Sequence, residues 1–273
     1  MSPATVSDVD LLLPLLSIGG IGGFLSGLLG VGGGIIFVPA LYLVLTSFGI
    51  DAGHAMRVAV GTSLALVLAT GSSSAFWHHK KGSIDFSIVK SWAPAVVLGV
   101  VTGTCFASAV NGAFLKQIFA GVTVLLSFYM FFSQEMKVEP AAHRLSKRIQ
   151  MTVAGLVGMV SALIGVGGAM LNIPFMAYIG LPMRKSVGTG GALGCIIALP
   201  GMAGYIFSGW PHMAELPPYS LGYVNLLAVG AILPMAMLLS PMGVKVSHSI
   251  PMNFLRRIFA VVLMCVSLWM FME

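Results

Sequence analysis

Apolar runs separated by short polar or glycine-rich stretches fill nearly the whole chain, five in each half. The first five span residues 11–29, 35–48, 56–77, 86–109 and 113–132, and the second five span 149–164, 169–181, 185–207, 222–245 and 254–272. A charged stretch, Gln134 to Arg148, separates the two sets, so the chain divides into a first repeat (1–133), a linker (134–148) and a second repeat (149–273). At 1.5 Å per residue, a run of about 20 residues spans the roughly 30 Å hydrocarbon core as a helix. The second run of each half is too short. Residues 35–48 reach only about 21 Å as a helix.

Those short runs follow a glycine cluster that occurs twice. Gly27-Leu28-Leu29-Gly30-Val31-Gly32-Gly33-Gly34-Ile35-Ile36-Phe37-Val38-Pro39 returns as Ala162-Leu163-Ile164-Gly165-Val166-Gly167-Gly168-Ala169-Met170-Leu171-Asn172-Ile173-Pro174. A glycine costs a helix about 1 kcal/mol and an interior proline about 3, so the cluster and the following proline predict a break within the membrane. The short run then packs with its predecessor as a broken or re-entrant pair, its irregular backbone lining a polar cavity rather than lipid. Paired breaks in matching places of two halves point to a transporter's substrate site.

The correspondence continues past the motif. Met56-Arg57-Val58-Ala59-Val60-Gly61-Thr62 pairs with Met183-Arg184-Lys185-Ser186-Val187-Gly188-Thr189, Pro94 with Pro234, Gly103 with Gly243, and Leu115-Lys116-Gln117-Ile118-Phe119-Ala120 with Leu255-Arg256-Arg257-Ile258-Phe259-Ala260. Four matches in the same order argue for an internal repeat. Five segments per repeat is an odd number, so the second repeat starts from the opposite side. The expected fold is an all-α polytopic membrane protein of two inverted-topology repeats.

Charge gives a separate test. With the N-terminus outside, the cytoplasmic loops and span ends receive Lys80, Lys81, Lys90, Lys137, Arg144, Lys147, Arg148, Arg184, Lys185, Lys245, Arg256 and Arg257, leaving only Arg57 and Lys116 on the outer side. This is the positive-inside distribution. It also explains the net charge of +6 without nucleic acid. With 58% hydrophobic and 8% charged residues, the chain lacks the charged surface of a soluble domain. Asp8 and Asp10, with no Lys or Arg before the first apolar run, are unlike the basic start of a cleaved signal peptide, so that run is kept as a membrane segment. Cys105, Cys195 and Cys265 stand apart in apolar runs, without metal-ligand spacing.

The candidate binding residues are few. Helices beginning near Gly34 and Ala169 present unpaired N–H groups, which suit an anion, and glycine allows close approach. Gly30, Gly32, Gly33 and Gly34, with Gly165, Gly167 and Gly168, are too dense for one helix face and are assigned to ligand lining. Gly19, Gly23 and Gly27 keep the four-residue spacing of helix packing. Arg57 and Arg184 hold equivalent positions and would draw anions into opposite mouths of the pathway, Arg184 serving equally well as an interfacial cation. Thr62, Ser63 and Thr189 would line the cavity one turn deeper or bond their own helix backbone. Asn172 suits either substrate contact or a helix-to-helix hydrogen bond. No cofactor or metal is called for. His78-His79-Lys80-Lys81 has no carboxylate or thiol at ligand spacing and reads as a cytoplasmic loop.

The doubled G-x-G-G motif, each copy followed by proline in one of two homologous halves, resembles the TauE/SafE family of membrane transporters, and the likeness covers essentially the whole chain. The second copy departs from the first in carrying Ala169 where Gly34 stands. The resemblance implies a bacterial inner-membrane carrier, often an exporter, for small sulfur-containing anions such as sulfite and organosulfonates. No G-x-x-x-x-G-K-[ST] motif is present, so coupling would be to H+ or Na+, exchange or the membrane potential. Two other classes are a channel or membrane sensor, and an intramembrane enzyme. The enzyme would need a catalytic constellation inside the spans, whereas His54, His78, His79, His143, His212 and His248 lie in loops or at segment ends.

Overall fold

The computed structural model describes residues 8–29, 33–132, 145–247 and 252–272. Each of the ten expected segments is a helix: α1 (Asp8–Leu29), α2 (Gly34–Ser47), α3 (Ala52–Lys80), α4 (Phe86–Ala109), α5 (Gly112–Phe132), α6 (Lys147–Ile164), α7 (Ala169–Tyr178), α8 (Met183–Gly209), α9 (Leu226–Ser247) and α10 (Met252–Met272). Among the described residues seven are long and apolar enough to cross a membrane, while α2, α7 and the Arg257–Met272 part of α10 are shorter apolar helices. The chain is an all-α polytopic membrane protein. Most of the expected linker, residues 134–144, lies outside the described residues, and α6 begins at Lys147.

Polar caps set several helix starts. Asp51 accepts from the amides of Gly53 and His54, starting α3 four residues before its apolar run. Asp85 accepts from Ser87 and Ile88 for α4, Asn111 from Phe114 for α5, and Ser146 from Ile149 for α6. The segment expected from residue 222 starts later, at Leu226, because Asn225 caps α9 by accepting from the amide of Ala228 at 2.8 Å. Before that cap the chain folds as a short 3-10 helix, Trp210–Glu215, and a two-strand hairpin, β1 (Ser220–Leu221) and β2 (Val224–Asn225). The prolines do not break their helices as expected. Pro39 and Pro174 lie inside α2 and α7, and the breaks are made by the glycines before them.

Helix directions follow from the contacts. Gly61 faces Tyr205, Leu64 faces Gly201, and Gly71 faces Cys195, so α3 and α8 run antiparallel along their length. Ser127 donates to the Ala260 carbonyl and Ser267 to Thr123, which makes α5 and α10 antiparallel as well. In contrast, Gly19, Gly23 and Gly27 of α1 meet Ile232, Ala236 and Ser240 of α9 in parallel, while Gly99 and Gly103 of α4 meet Gly155 and Met159 of α6. At these crossings backbone lies against backbone, the close approach that small residues allow in membranes. With α9 starting beside the start of α3, α1 runs in from that end and α2 returns to it. The α6–α7 pair does the same at the other end. Lys80, Lys81, Lys90, Lys147, Arg148, Arg184, Lys185, Lys245 and Arg257 gather at the end of the bundle where α3 finishes, and Arg57 and Lys116 lie toward the opposite end.

A Cβ at Gly99 would run into the Gly155 carbonyl, whereas one at Gly121 meets nothing within 4 Å. Gly99→Ala is therefore expected to destabilise the protein by about 1–3 kcal/mol, and Gly121→Ala to leave it unchanged or slightly more stable. Thermal unfolding of the two variants in detergent checks this, and equal melting temperatures would refute the α4–α6 contact.

Candidate functional site

The two glycine breaks meet. A Cβ on Gly34, the first residue of α2, would lie 2.6 Å from the Gly165 carbonyl oxygen and 3.1 Å from Val166 Cα. Ser63, fully buried midway along α3, donates to the Gly165 carbonyl at 2.8 Å and lies 3.4 Å from that of Gly34. The lack of room explains why glycine stands at 34, whereas Ala169, the equivalent residue, is only partly buried. Gly165 ends α6 with φ +69° and Gly168 starts α7 with φ +67°, left-handed conformations that favour glycine. Gly167 sits between Val67 of α3 and Gly194 of α8, while Gly33 lies against the Phe37 ring. Gly30 and Gly32 fall outside the described residues.

Beside Gly168 is a buried polar cluster. A Cβ there would lie 3.0 Å from Ser161 Oγ and 3.2 Å from Asn172 Nδ2. Both residues are fully buried, and neither Ser161 Oγ nor Asn172 Oδ1 or Nδ2 has a hydrogen-bond partner among the described residues. Each such group costs about 1–3 kcal/mol while it stays unsatisfied. The first-turn amides of Ala169 and Met170 also lack intrahelical acceptors by construction, and the helix dipole adds partial positive charge at the same place. Together these groups offer neutral donors suited to an anion's oxygens.

Thr62 and Thr189 each serve the opposite half. Thr62 Oγ1 accepts the Asn225 amide at 3.0 Å, and Thr189 Oγ1 accepts the Asp85 amide at 2.9 Å. Asn225 caps α9 and Asp85 caps α4, so each threonine holds the start of the other half's fourth helix. The preceding glycines take part: Gly61 lies under the Tyr223 carbonyl and Gly188 under that of Ser83, with no space for a Cβ at either. The two contacts close the bundle above and below the breaks. The Ser87 hydroxyl, donating to Asp85 at 2.7 Å, is the chief cause holding that carboxyl below the usual range. Its stabilising effect is complete above the unfolded pKa near 3.9 and is lost as pH falls through the lower folded value.

The arginines differ. Half-buried Arg57 donates to the Val110 carbonyl at 2.6 Å and the Tyr223 hydroxyl at 3.2 Å, and its guanidinium carbon lies 5.5 Å from the Tyr223 ring centre. Arg184 is exposed at the rim where α8 begins.

Comparison with known proteins decides the family. The model of the family described as "Sulfite exporter TauE/SafE" matches residues 15–270. The chain belongs to the TauE/SafE family. A probable membrane transporter protein of Haemophilus influenzae is 32% identical over 96% of this chain and 98% of its own length. Probable membrane transporter proteins of Methanocaldococcus jannaschii and Bacillus subtilis are 28% and 25% identical, covering 95% and 92% of this chain and 96% and 94% of their own lengths. No solved structure matches it. This TauE/SafE protein is thus a multi-pass membrane protein of a transporter family.

Sequence reading missed Ser161, Tyr223 and Asn225. Ser161 lies seven residues before Gly168 in an ordinary apolar run, and nothing local marks it. Asn225 carried a signal, since an Asn directly before the apolar stretch Leu226-Leu227-Ala228 is in a capping position. Thr62→Val would strand the buried Asn225 amide and is expected to cost about 1–3 kcal/mol; Thr189→Val should cost less, because Asp85 is only partly buried. Chemical unfolding of both variants tests the order, and a larger loss at Thr189 would contradict it.

Proposed function

We propose that this TauE/SafE protein is a secondary transporter, in the export direction, for a small sulfur-containing anion such as sulfite or an organosulfonate. It works by alternating access between two inverted repeats. The observation carrying the reading is the buried pair Ser161, near the end of α6, and Asn172, in the first turns of α7, which flank Gly168 and have no hydrogen-bond partner among the described residues. Donors without partners in a membrane interior are costly, and an acceptor-rich anion repays that cost as it binds. The family description, Sulfite exporter TauE/SafE, supports the substrate class. Arg184 gathers anions at one mouth, and Arg57 adds positive charge at the other while tied to Tyr223 and Val110.

The inverted-repeat reading is supported by the antiparallel pairing of corresponding helices, α3 with α8 and α5 with α10, and by the matched Thr62–Asn225 and Thr189–Asp85 contacts. Alternating access then means breaking one of those contacts while the other holds. The clustering of basic residues where α3 ends supports a cytoplasmic location for that end, with the start of α1 and the end of α10 on the outer side. Coupling is to H+ or Na+, to exchange or to the membrane potential. Single cysteines at Ala214 and Lys81, in a background lacking the native three, test the sidedness. Impermeant maleimide applied to intact cells should label Ala214→Cys and spare Lys81→Cys until lysis, and the reverse pattern would invert the topology.

Substrate and site are tested together. Purified protein should gain thermal stability with sulfite or a sulfonate and not with carboxylate controls, by about 2.7 kcal/mol at 100 times the dissociation constant. Asn172→Leu removes the unpaired amide at similar volume. It is expected to leave the protein as stable or more so while abolishing the ligand-induced shift. Destabilisation of Asn172→Leu together with a retained shift would place the anion elsewhere. Counterflow in proteoliposomes separates a carrier from a channel, because only a carrier is stimulated by unlabelled substrate on the far side.

A further inference from the structure

The outer ends of α3 and α8 carry a cluster that the anion site does not use. His54, on the first turn of α3, places Nε2 2.9 Å from Glu215 Oε2, and His212 Nδ1 lies 4.0 Å from the same oxygen. The three residues each offer one ligand atom, all within 4.8 Å of one another. In sequence His54 stands far from the other two, and only the antiparallel course of α3 and α8 brings them together. His212 and Glu215 belong to the 3-10 helix Trp210–Glu215, where three residues make a turn and side chains at i and i+3 eclipse. Both therefore leave the same face, toward His54.

The geometry points to a divalent transition-metal site, of the zinc class, made by His54, His212 and Glu215. Two imidazoles and one carboxylate with an open fourth position is an established zinc set. Bonds of about 2.0–2.2 Å in a tetrahedron put neighbouring ligand atoms roughly 3.3–3.5 Å apart, inside the observed range of 2.9 to 4.8 Å. Small rotations of the exposed Glu215 and half-exposed His212 close the difference. The imidazoles are already oriented by Tyr223, whose buried ring stacks on His54 at 6.1 Å and on His212 at 6.2 Å. Imidazole nitrogens select against calcium and magnesium, which prefer oxygen. Arg57 is the neighbouring cation, its charge turned to Val110 and the Tyr223 hydroxyl, and the Glu215 carboxylate offsets part of the metal's charge.

Such a metal joins α3 to the loop carrying Tyr223 and Asn225, the two residues that close over Gly61 and Thr62. It fixes the loop in the closed position, so external Zn2+ acts as a lock on the outer gate. The binding part stands on geometry alone, while the locking part rests on the carrier reading above.

Zn2+ titration of the purified full-length protein, followed by calorimetry without any anion present, tests the site. One ion per chain should bind, at least tenfold more weakly in His212→Ala and in Glu215→Gln, with no change in the His78→Ala/His79→Ala double variant at the other end. His212 and Glu215 are exposed enough that their variants should fold. Absence of binding, binding unaffected by His212→Ala, or binding lost in the double variant would overturn the site. In proteoliposomes, Zn2+ on the outer side should slow counterflow severalfold in the wild type and not in His212→Ala. Stoichiometric binding with undiminished counterflow would overturn the lock and leave the site standing.

Discussion

A bilayer interior supplies no water to satisfy an open backbone, and this protein places two interruptions of helix in the middle of its bundle. Everything around them follows from that demand. Ser63 reaches the carbonyls of Gly34 and Gly165, so one hydroxyl serves both interruptions. Val67 and Gly194 close on Gly167 from the two long helices, keeping lipid away. Glycine is required at Gly34 by the Gly165 carbonyl against it, and at Gly165 and Gly168 by left-handed backbone. Ser161 and Asn172 stand out because they are fully buried and their side chains have no hydrogen-bond partner among the described residues.

The segments were legible because lipid imposes a length and composition that any apolar run must meet, and all ten appear where hydropathy put them. The ends were less so. Asp51 and Asn225 start α3 and α9 through side-chain caps, which a hydropathy pattern does not register. Proline misled for a physical reason. At Pro39 and Pro174 the ring removes one donor near a helix start, and the helix continues because its other bonds and its packing outweigh the loss.

At the site, the sequence pointed to glycine clusters and hydroxyls but could not say which surfaces they faced. Thr62 and Thr189 were read as lining or self-bonded, and each instead holds a backbone amide from the opposite half. Those partners lie 163 and 104 residues away, beyond any local pattern. The equivalence of Arg57 and Arg184 was plain in the alignment, yet one is tied into the fold and the other is exposed at the rim. Tyr223, one of the two partners of Arg57, comes from the long loop before α9, which has no counterpart in the short loop before α4.

The residues that the two threonines hold are matched in position but not in kind. Asp85 carries a full negative charge and Asn225 none, although both cap the fourth helix of their half. A neutral segment moves through the membrane's electric field without work. A charged one does not, and a whole charge taken across 100 mV exchanges about 2.3 kcal/mol with the field. Any displacement of the Asp85 carboxylate along the membrane normal is therefore voltage-dependent in proportion to the fraction of the field it traverses, while the Asn225 side chain contributes no charge of its own. The two contacts, alike in hydrogen bonding, thus differ electrically at their capping residues, and the membrane potential acts on Asp85 and not on Asn225.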